Sequence, residues 1–336
     1  PSYNTPLWMH ARCLGLQNPT PQANRDSAGA LACKLAVLRY PEIAKFTPSS
    51  AVAHDFADRT IYFFIHRTLS VSARVFAWLA WGGIVAALFY HLGGAVLFEP
   101  DEGRNAEKAR EILVLQDWLT PHENFHAVLD KPIFFYWLIA IAYKVFGISE
   151  WAARLPSALA ALGTLALIYR FARVSWGRWA ALWSVLILLT SVEFFVLARI
   201  VIFDMTLSFF LTLALCAFFE ASHSEVPMQR RLWCAAMYAA LGAATLIKGL
   251  VGVVVPGMVI FFYLLLTKRW ATLKRLALLP GAVLFLAIVL SWYLPVEARN
   301  PGYLLYYFWA EHFGRFVTTE FDRGEAWHYV IGVEFV

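Results

Sequence analysis

The 336-residue chain is 60% hydrophobic and only 15% charged, with a mean hydropathy of +0.59. A water-soluble domain carries about 45–50% apolar and about 25% charged residues, so these proportions exclude a soluble enzyme and require a bilayer as well as a core. The net charge of +5 then belongs to short basic loops between apolar spans, and nucleic acid is not an expected partner.

Residues 1–70 are mixed in character and punctuated by "NPTPQANRDSAG" and "FTPSS", with no apolar run of spanning length and no signal-peptide pattern. They are expected to be a poorly ordered cytoplasmic extension. A transmembrane domain over 71–336 follows, and because it stops at Val336 within a new apolar run it reads as truncated at its C-terminus. Cys13, Cys33, Cys216 and Cys234 share no metal-type or redox spacing, and the last two sit in apolar stretches as small buried thiols.

A bilayer core about 30 Å thick needs about 20 apolar residues per helix. Spans are predicted at 75–97, 152–169, 179–198, 204–221, 232–247, 250–267 and 276–296. Arg67 and Arg74, then Arg170, Arg173 and Arg178, then Arg230 and Arg231, then Lys268, Arg269, Lys274 and Arg275 all fall on one side of this arrangement. The positive-inside rule makes that side the cytoplasm. The stretch from Pro132 to Gly147 is too short to cross and would invert every later loop if it did, so it is expected to be an interfacial or re-entrant helix. A second interfacial helix is predicted over 103–115, with Ala106, Ala109, Ile112 and Leu113 on its apolar face and Arg104, Lys108 and Glu111 away from it. The fold class is therefore an all-α polytopic bundle with interfacial helices in its first outer loop.

Charges at a membrane boundary that do not serve as positive-inside anchors are functional candidates, since burying them unpaired costs several kcal/mol. Asp101 and Glu102 follow the first span directly, either as helix N-caps or as carboxylates that bind a cation or accept a proton. Asp130 and Lys131 precede Pro132, where the lysine either snorkels or offers a point charge to a lipid-linked phosphate. Arg199 and Asp204 interrupt an apolar stretch on the same outer side, either as an ion pair between helix ends or as part of a shared site. Lys248 lies outside against the charge bias and needs a buried partner or a phosphate. In the last outer loop Glu311, His312 and Arg315 are at helical spacing.

Taken in order, "DEGRNAEKAREIL", "DW" at Asp117 and Trp118, "DKPIFFYWL", "ARIVIFDM", "LIKGLVG" and "EHFGRF" resemble the membrane glycosyltransferases of the GT-C fold. The resemblance is closest to the 4-amino-4-deoxy-L-arabinose transferases that modify lipid A. Protein O-mannosyltransferases and other polyprenyl-phosphate-sugar transferases are similar at greater distance. It runs from about residue 75 to the end, some three quarters of the chain.

The resemblance implies a GT-C-like bundle with an outward-facing cavity, periplasmic in the inner membrane. There a polyprenyl-phosphate-linked sugar donor meets a lipid A-type or protein acceptor. It implies Asp101, Glu102 and Asp204 as catalytic candidates, and Arg104, Lys131, Arg199, Lys248 and Arg315 as substrate-binding candidates. Asp130 and His312 match positions that hold a divalent metal, Zn or Mg, in some members; the family usually has Glu where this chain has Asp130. No nucleotide cofactor is expected. The chemistry asks for cations at the leaving phosphate and a carboxylate at the acceptor, in one displacement that inverts the sugar carbon. The alternative from the charges alone is a transporter or flippase using Arg199, Asp204 and Lys248 as intramembrane relay groups.

Overall fold

The computed structural model describes residues 79–98 and 100–309, nearly all of them in one compact unit that begins at Trp81. In chain order they form α1 (Leu79–Phe89), α2 (Asp101–Leu115), β1 (His122–Glu123), β2 (His126–Ala127), α3 (Phe134–Phe146), α4 (Glu150–Trp176) and α5 (Arg178–Thr190). There follow α6 (Val192–Leu197), α7 (Phe203–His223), α8 (Pro227–Lys248), α9 (Val251–Thr267), a 3-10 segment at Trp270–Arg275, α10 (Leu278–Arg299) and the short α11 (Tyr303–Leu305). Helices α4, α7 and α10 are each long and apolar enough to cross a bilayer, while α1, α3, α5 and α9 are shorter apolar helices. Side chains such as Leu266 and Leu279, 80% and 78% exposed, give the bundle an outer surface suited to lipid rather than to water.

Local chemistry sets the boundaries. Ser149 caps α4 by accepting from the Ala152 amide, and Gly177, at φ +89, ends α4 and opens α5 with no longer loop between them. Pro227 stands in the first turn of α8, where its missing N–H costs nothing. Helix α7 packs between α4 and α8, and α8 in turn carries α9 and α10. Small residues permit this closeness. A Cβ on Gly252 would come within 2.5 Å of the Ala244 carbonyl carbon, so α9 rests directly on the α8 backbone.

Three departures from the expected elements have physical causes. The first span was expected to run to residue 97, but α1 ends at Phe89 and His91 has φ 53, leaving 90–98 without regular helix. The expected span 179–198 is broken at Ser191, which has extended backbone, into α5 and α6. The supposed polar face of the interfacial helix α2 is not solvated: Lys108 and Glu111 are buried. The segment from Gln116 to Asp130 folds back over it through the β1–β2 hairpin, whose turn residues Asn124 and Phe125 have φ 54 and 65. Glu111 holds that turn, both of its oxygens accepting from the Phe125 amide at 3.1 and 3.0 Å. Cys216 is half-buried and Cys234 buried. The 1–70 extension and the other two cysteines lie outside the described residues.

The irregular 90–98 segment raises a satisfaction problem, because backbone polar groups near a membrane need partners inside the protein. Two arginines supply them. Arg199 donates to the carbonyls of Ala87, Leu88 and Tyr90 at 3.0, 3.0 and 2.8 Å, closing the C-terminal end of α1. Arg154, from the second turn of α4, donates to the carbonyls of Leu92, Ala95 and Val96 at 3.0, 2.8 and 3.0 Å.

Candidate active site

The same Arg154 guanidinium grips Glu102, the second residue of α2, at 3.0 and 2.9 Å in a pair buried on both sides. Glu102 also accepts from the amides of Phe98 and Val201, each at 2.8 Å. Burial works against its charge, but the Arg154 hydrogen bonds and the two amides outweigh it and hold the carboxyl below the usual carboxylate range. The two adjacent carboxylates read from the sequence thus differ. Glu102 is committed to four donor contacts, whereas Asp101 is exposed in the first turn of α2.

One turn further along α2, the Asn105 amide donates to the Val201 carbonyl at 2.9 Å. Val201 is therefore held by both its N–H and its C=O. Three residues on, Asp204 stands in the first turn of α7 and accepts from Lys248, the last residue of α8. Gly249, at φ +69, ends that helix by donating to the Thr245 carbonyl at 2.8 Å, which places Lys248 at its very end. Phe134, Phe203, Leu207 and Ile247 pack together beside the pair and tie α3, α7 and α8 to one point.

A second set of charges lies along α2 and the hairpin. Arg104 donates to Glu123 at 2.8 Å, the buried Lys108 lies 3.3 Å from Glu123, and Lys108 donates to Asp130 at 2.9 Å. Burial opposes the charge on Glu123 too, but Arg104 and Lys108 overcome it and lower its pKa, while the hydrogen bond to Glu123 raises that of Arg104. The side chains of Arg104 and Lys248 remain 50% and 36% exposed, so an incoming anion can reach both cations. A cleft of about 760 Å³ opens beside Asp130, lined also by Leu129, Arg299, Tyr303 and Tyr306. Between α3, α4 and α7 an apolar groove of about 430 Å³ is lined by Leu138, Phe146, Leu159, Thr206 and Phe210 among others.

Of the sequence-predicted residues, the structure sets Asp101, Glu102 and Arg104 at the start of α2, which Glu102 ties to Val201, three residues before Asp204 and its partner Lys248, and it sets Asp130 against Lys108 further along α2. Lys131 follows Asp130 there and is half-buried. Arg199 is not paired with Asp204, as one sequence reading had it; its three carbonyl bonds cap α1 and Lys248 takes the aspartate. Arg315 and His312 lie outside the described residues. Asp130 shares its carboxylate with an ammonium, and among the described residues no three His, Cys, Asp or Glu side chains come together. His312, the co-ligand the resemblance implies for Asp130, lies outside the described residues.

Sequence reasoning passed over Asn105, Lys108, Glu123 and Arg154. For Arg154 a signal existed, since a lone arginine near the start of an apolar helix needs a buried partner. For Glu123, in a polar loop, there was none.

The opposite end of α7 is different. There Arg170 pairs with Glu220 at 2.7 Å and lies over the Trp233 ring, and Arg275 pairs with Glu225 at 3.2 Å, with Arg230, Arg231 and Lys274 alongside Arg275. Helix α7 is 21 residues long, about 30 Å at 1.5 Å per residue, which matches a bilayer core. Among the described residues, an all-α bundle, apolar outside and charged at both ends of α7, defines a polytopic membrane protein with its candidate site at one of those ends.

A family model described as dolichyl-phosphate-mannose-protein mannosyltransferase matches residues 130–294. Among curated proteins, the chain is similar to the undecaprenyl phosphate-alpha-4-amino-4-deoxy-L-arabinose arabinosyl transferase 2 of Proteus mirabilis: 31% identity over 258 residues, covering 74% of this chain and 46% of the relative. It is similar to the corresponding transferase of Edwardsiella ictaluri at 28% over 252 residues, covering 74% and 45%. Among solved structures, ArnT from Cupriavidus metallidurans in the apo state superposes with a TM-score of 0.69 at 35% identity, covering 72% of this chain and 45% of that one. The same protein bound to undecaprenyl phosphate gives the same score and identity. The chain shares the GT-C membrane fold of ArnT over 72% of its length and spans a little under half the length of the curated relatives it matches.

Proposed function

We propose that this chain works as a membrane glycosyltransferase that moves a sugar from a polyprenyl phosphate carrier of the undecaprenyl type to a lipid A-type acceptor. The proposed place is the periplasmic face of the inner membrane. The observation that carries the reading is the exposed Asp101 at the start of α2, stitched through Val201 to the Asp204–Lys248 pair at the start of α7. Support comes from the arabinosyl transferases it resembles and from the ArnT structure bound to undecaprenyl phosphate. The basic end of α7, with Arg170, Arg230, Arg231 and Arg275, is the cytoplasmic one by the positive-inside rule, which leaves the Asp101 end outside. A transporter would use charges at mid-membrane, whereas Asp204 and Lys248 stand at helix ends.

In this reading the carrier phosphate is the leaving group. Arg104 and Lys248 exchange part of their contact with Glu123 and Asp204 for its oxygens, and Lys131 adds a third cation, so charge developing on phosphate is met by fixed positive groups. Asp101, outside any buried network, lies open to the acceptor and orients it, or takes its proton where the acceptor is a hydroxyl. The apolar groove beside Thr206 suits a lipid chain of donor or acceptor. A single in-line displacement inverts the sugar carbon.

The test is transfer from undecaprenyl-phosphate-linked 4-amino-4-deoxy-L-arabinose to lipid A in proteoliposomes. Asp101→Asn and Asp204→Asn are expected to abolish transfer while membrane insertion is unchanged. Full activity in both variants would refute the assignment.

A further inference from the structure

Asp101 and Asp204 open two different helices just over a hundred residues apart in sequence, and a joint site requires that the two helix starts keep a fixed offset. We infer that Asn105 and Glu102, backed by Arg154, are positioning residues that grip the Val201 peptide and so set Asp204 and Lys248 in register with Asp101. The inference rests on the glycosyltransferase reading and concerns the same site.

The grip has a definite geometry. Glu102 and Asn105 are three residues apart on one face of α2. The glutamate accepts from the Val201 N–H at 2.8 Å and the asparagine donates to the Val201 C=O at 2.9 Å. Together they present the donor and acceptor that a neighbouring β-strand would present to a paired residue. Ile202, next in the chain, is extended at φ −132 and ψ 159, and Phe203 begins α7. Sliding the α6–α7 link by one residue would break both bonds at once, so this contact fixes position along the chain as well as closeness. Val201 is fully buried, and Glu102 and Asn105 are 2% and 6% exposed, so water does not replace a lost bond there.

Arg154 fixes the grip itself. Its guanidinium holds both Glu102 oxygens and three carbonyls of the 90–98 segment, a fan of five bonds that a lysine's single ammonium cannot reproduce. The carboxylate therefore cannot turn away from Val201. From Val201 to Asp204 is three residues, so a shift at the grip passes almost undiminished to the Asp204–Lys248 pair. A misplacement of about 1 Å at reacting groups costs up to about a hundredfold in rate.

The experiment uses Asn105→Ala, which removes one bond and no charge, with Glu102→Gln as a second variant, both in the full chain in proteoliposomes. Transfer kinetics with undecaprenyl-phosphate-linked 4-amino-4-deoxy-L-arabinose are measured beside hydrogen–deuterium exchange of the peptide over 199–206. The expected result for each variant is a kcat lower by roughly tenfold or more, a donor KM within about twofold of the parent, and faster exchange confined to the start of α7. Asn105→Asp, which sets a carboxylate against the Val201 carbonyl, is expected to fall below Asn105→Ala, and Asn105→Ser, which keeps a short donor, to recover part of the loss. Exchange at 199–206 unchanged in both variants overturns the inference, as does raised exchange with a parental kcat or a change confined to KM. If the parent chain itself transfers no sugar, the glycosyltransferase reading is what fails, and the exchange measurement alone then decides whether the grip exists.

Discussion

Arg154→Leu is the perturbation with the largest expected effect on stability. The substitution removes a guanidinium that makes two bonds to Glu102 and three to backbone carbonyls. It leaves a carboxylate only 3% exposed, with the Phe98 and Val201 amides as remaining donors. Breaking a buried ion pair from one side costs about 3–5 kcal/mol, and the orphaned carbonyls of Leu92, Ala95 and Val96 place the effect at the upper end of that range. Removing both charges in Arg154→Leu with Glu102→Leu relieves the stranded carboxylate, so the double variant is expected to be more stable than the sum of the singles by about 1–3 kcal/mol. The assay is reversible unfolding of the purified protein from mixed micelles, followed as the shift in denaturant midpoint. A loss below about 1 kcal/mol for Arg154→Leu, or strict additivity in the double variant, would refute the account of this pair as the latch of the 90–98 segment.

The carboxyls of Glu102 and Glu123 are both held below their ordinary value of 4.5. The folded protein thus binds fewer protons than the unfolded chain as pH falls through that range. Their stabilisation is complete above about pH 4.5 and disappears as the pH drops through the folded values, and Glu123→Gln should flatten the acid limb of a stability-against-pH curve. Gly252→Ala forces a methyl against the Ala244–Thr245 backbone and should lower thermal stability by about 1–3 kcal/mol, read as a drop in midpoint; an unchanged midpoint would mean α8 and α9 part freely. Lys248→Met leaves Asp204 unpaired and removes a cation from the proposed phosphate site, so donor KM should rise at least tenfold; a parental KM would remove Lys248 from that site. Chelation with EDTA is expected to leave transfer unchanged because Asp130 is already paired with Lys108, and a loss restored by added Zn would place a metal at Asp130.

The apolar text of the sequence was enough to determine a helical membrane bundle, and its charged interruptions were enough to mark the site's end. Asp101, Asp130, Asp204 and Lys248 stood out because a charge beside a span is costly unless paired, and the structure sets Asp101 at the start of α2, Asp130 against Lys108 of the same helix, and Asp204 with Lys248 at the start of α7. The basic breaks at Arg170, Arg230 and Arg275 likewise collect at the opposite end of α7. Partners were not legible. Lys108 and Glu111 looked solvated because helical periodicity reports only the helix's own faces, and the 116–130 segment that buries them comes from further along the chain. Arg199 was read either as an ion-pair partner or as a site residue because it broke an apolar run, and its guanidinium closes carbonyls of α1 more than a hundred residues before it. Sequence thus fixed which residues are too costly to leave unexplained in a membrane. Which of them satisfy the backbone and which remain open to a substrate depended on contacts between distant segments, such as Arg154 with Glu102 and Glu102 with Val201, which arise only once the helices have packed.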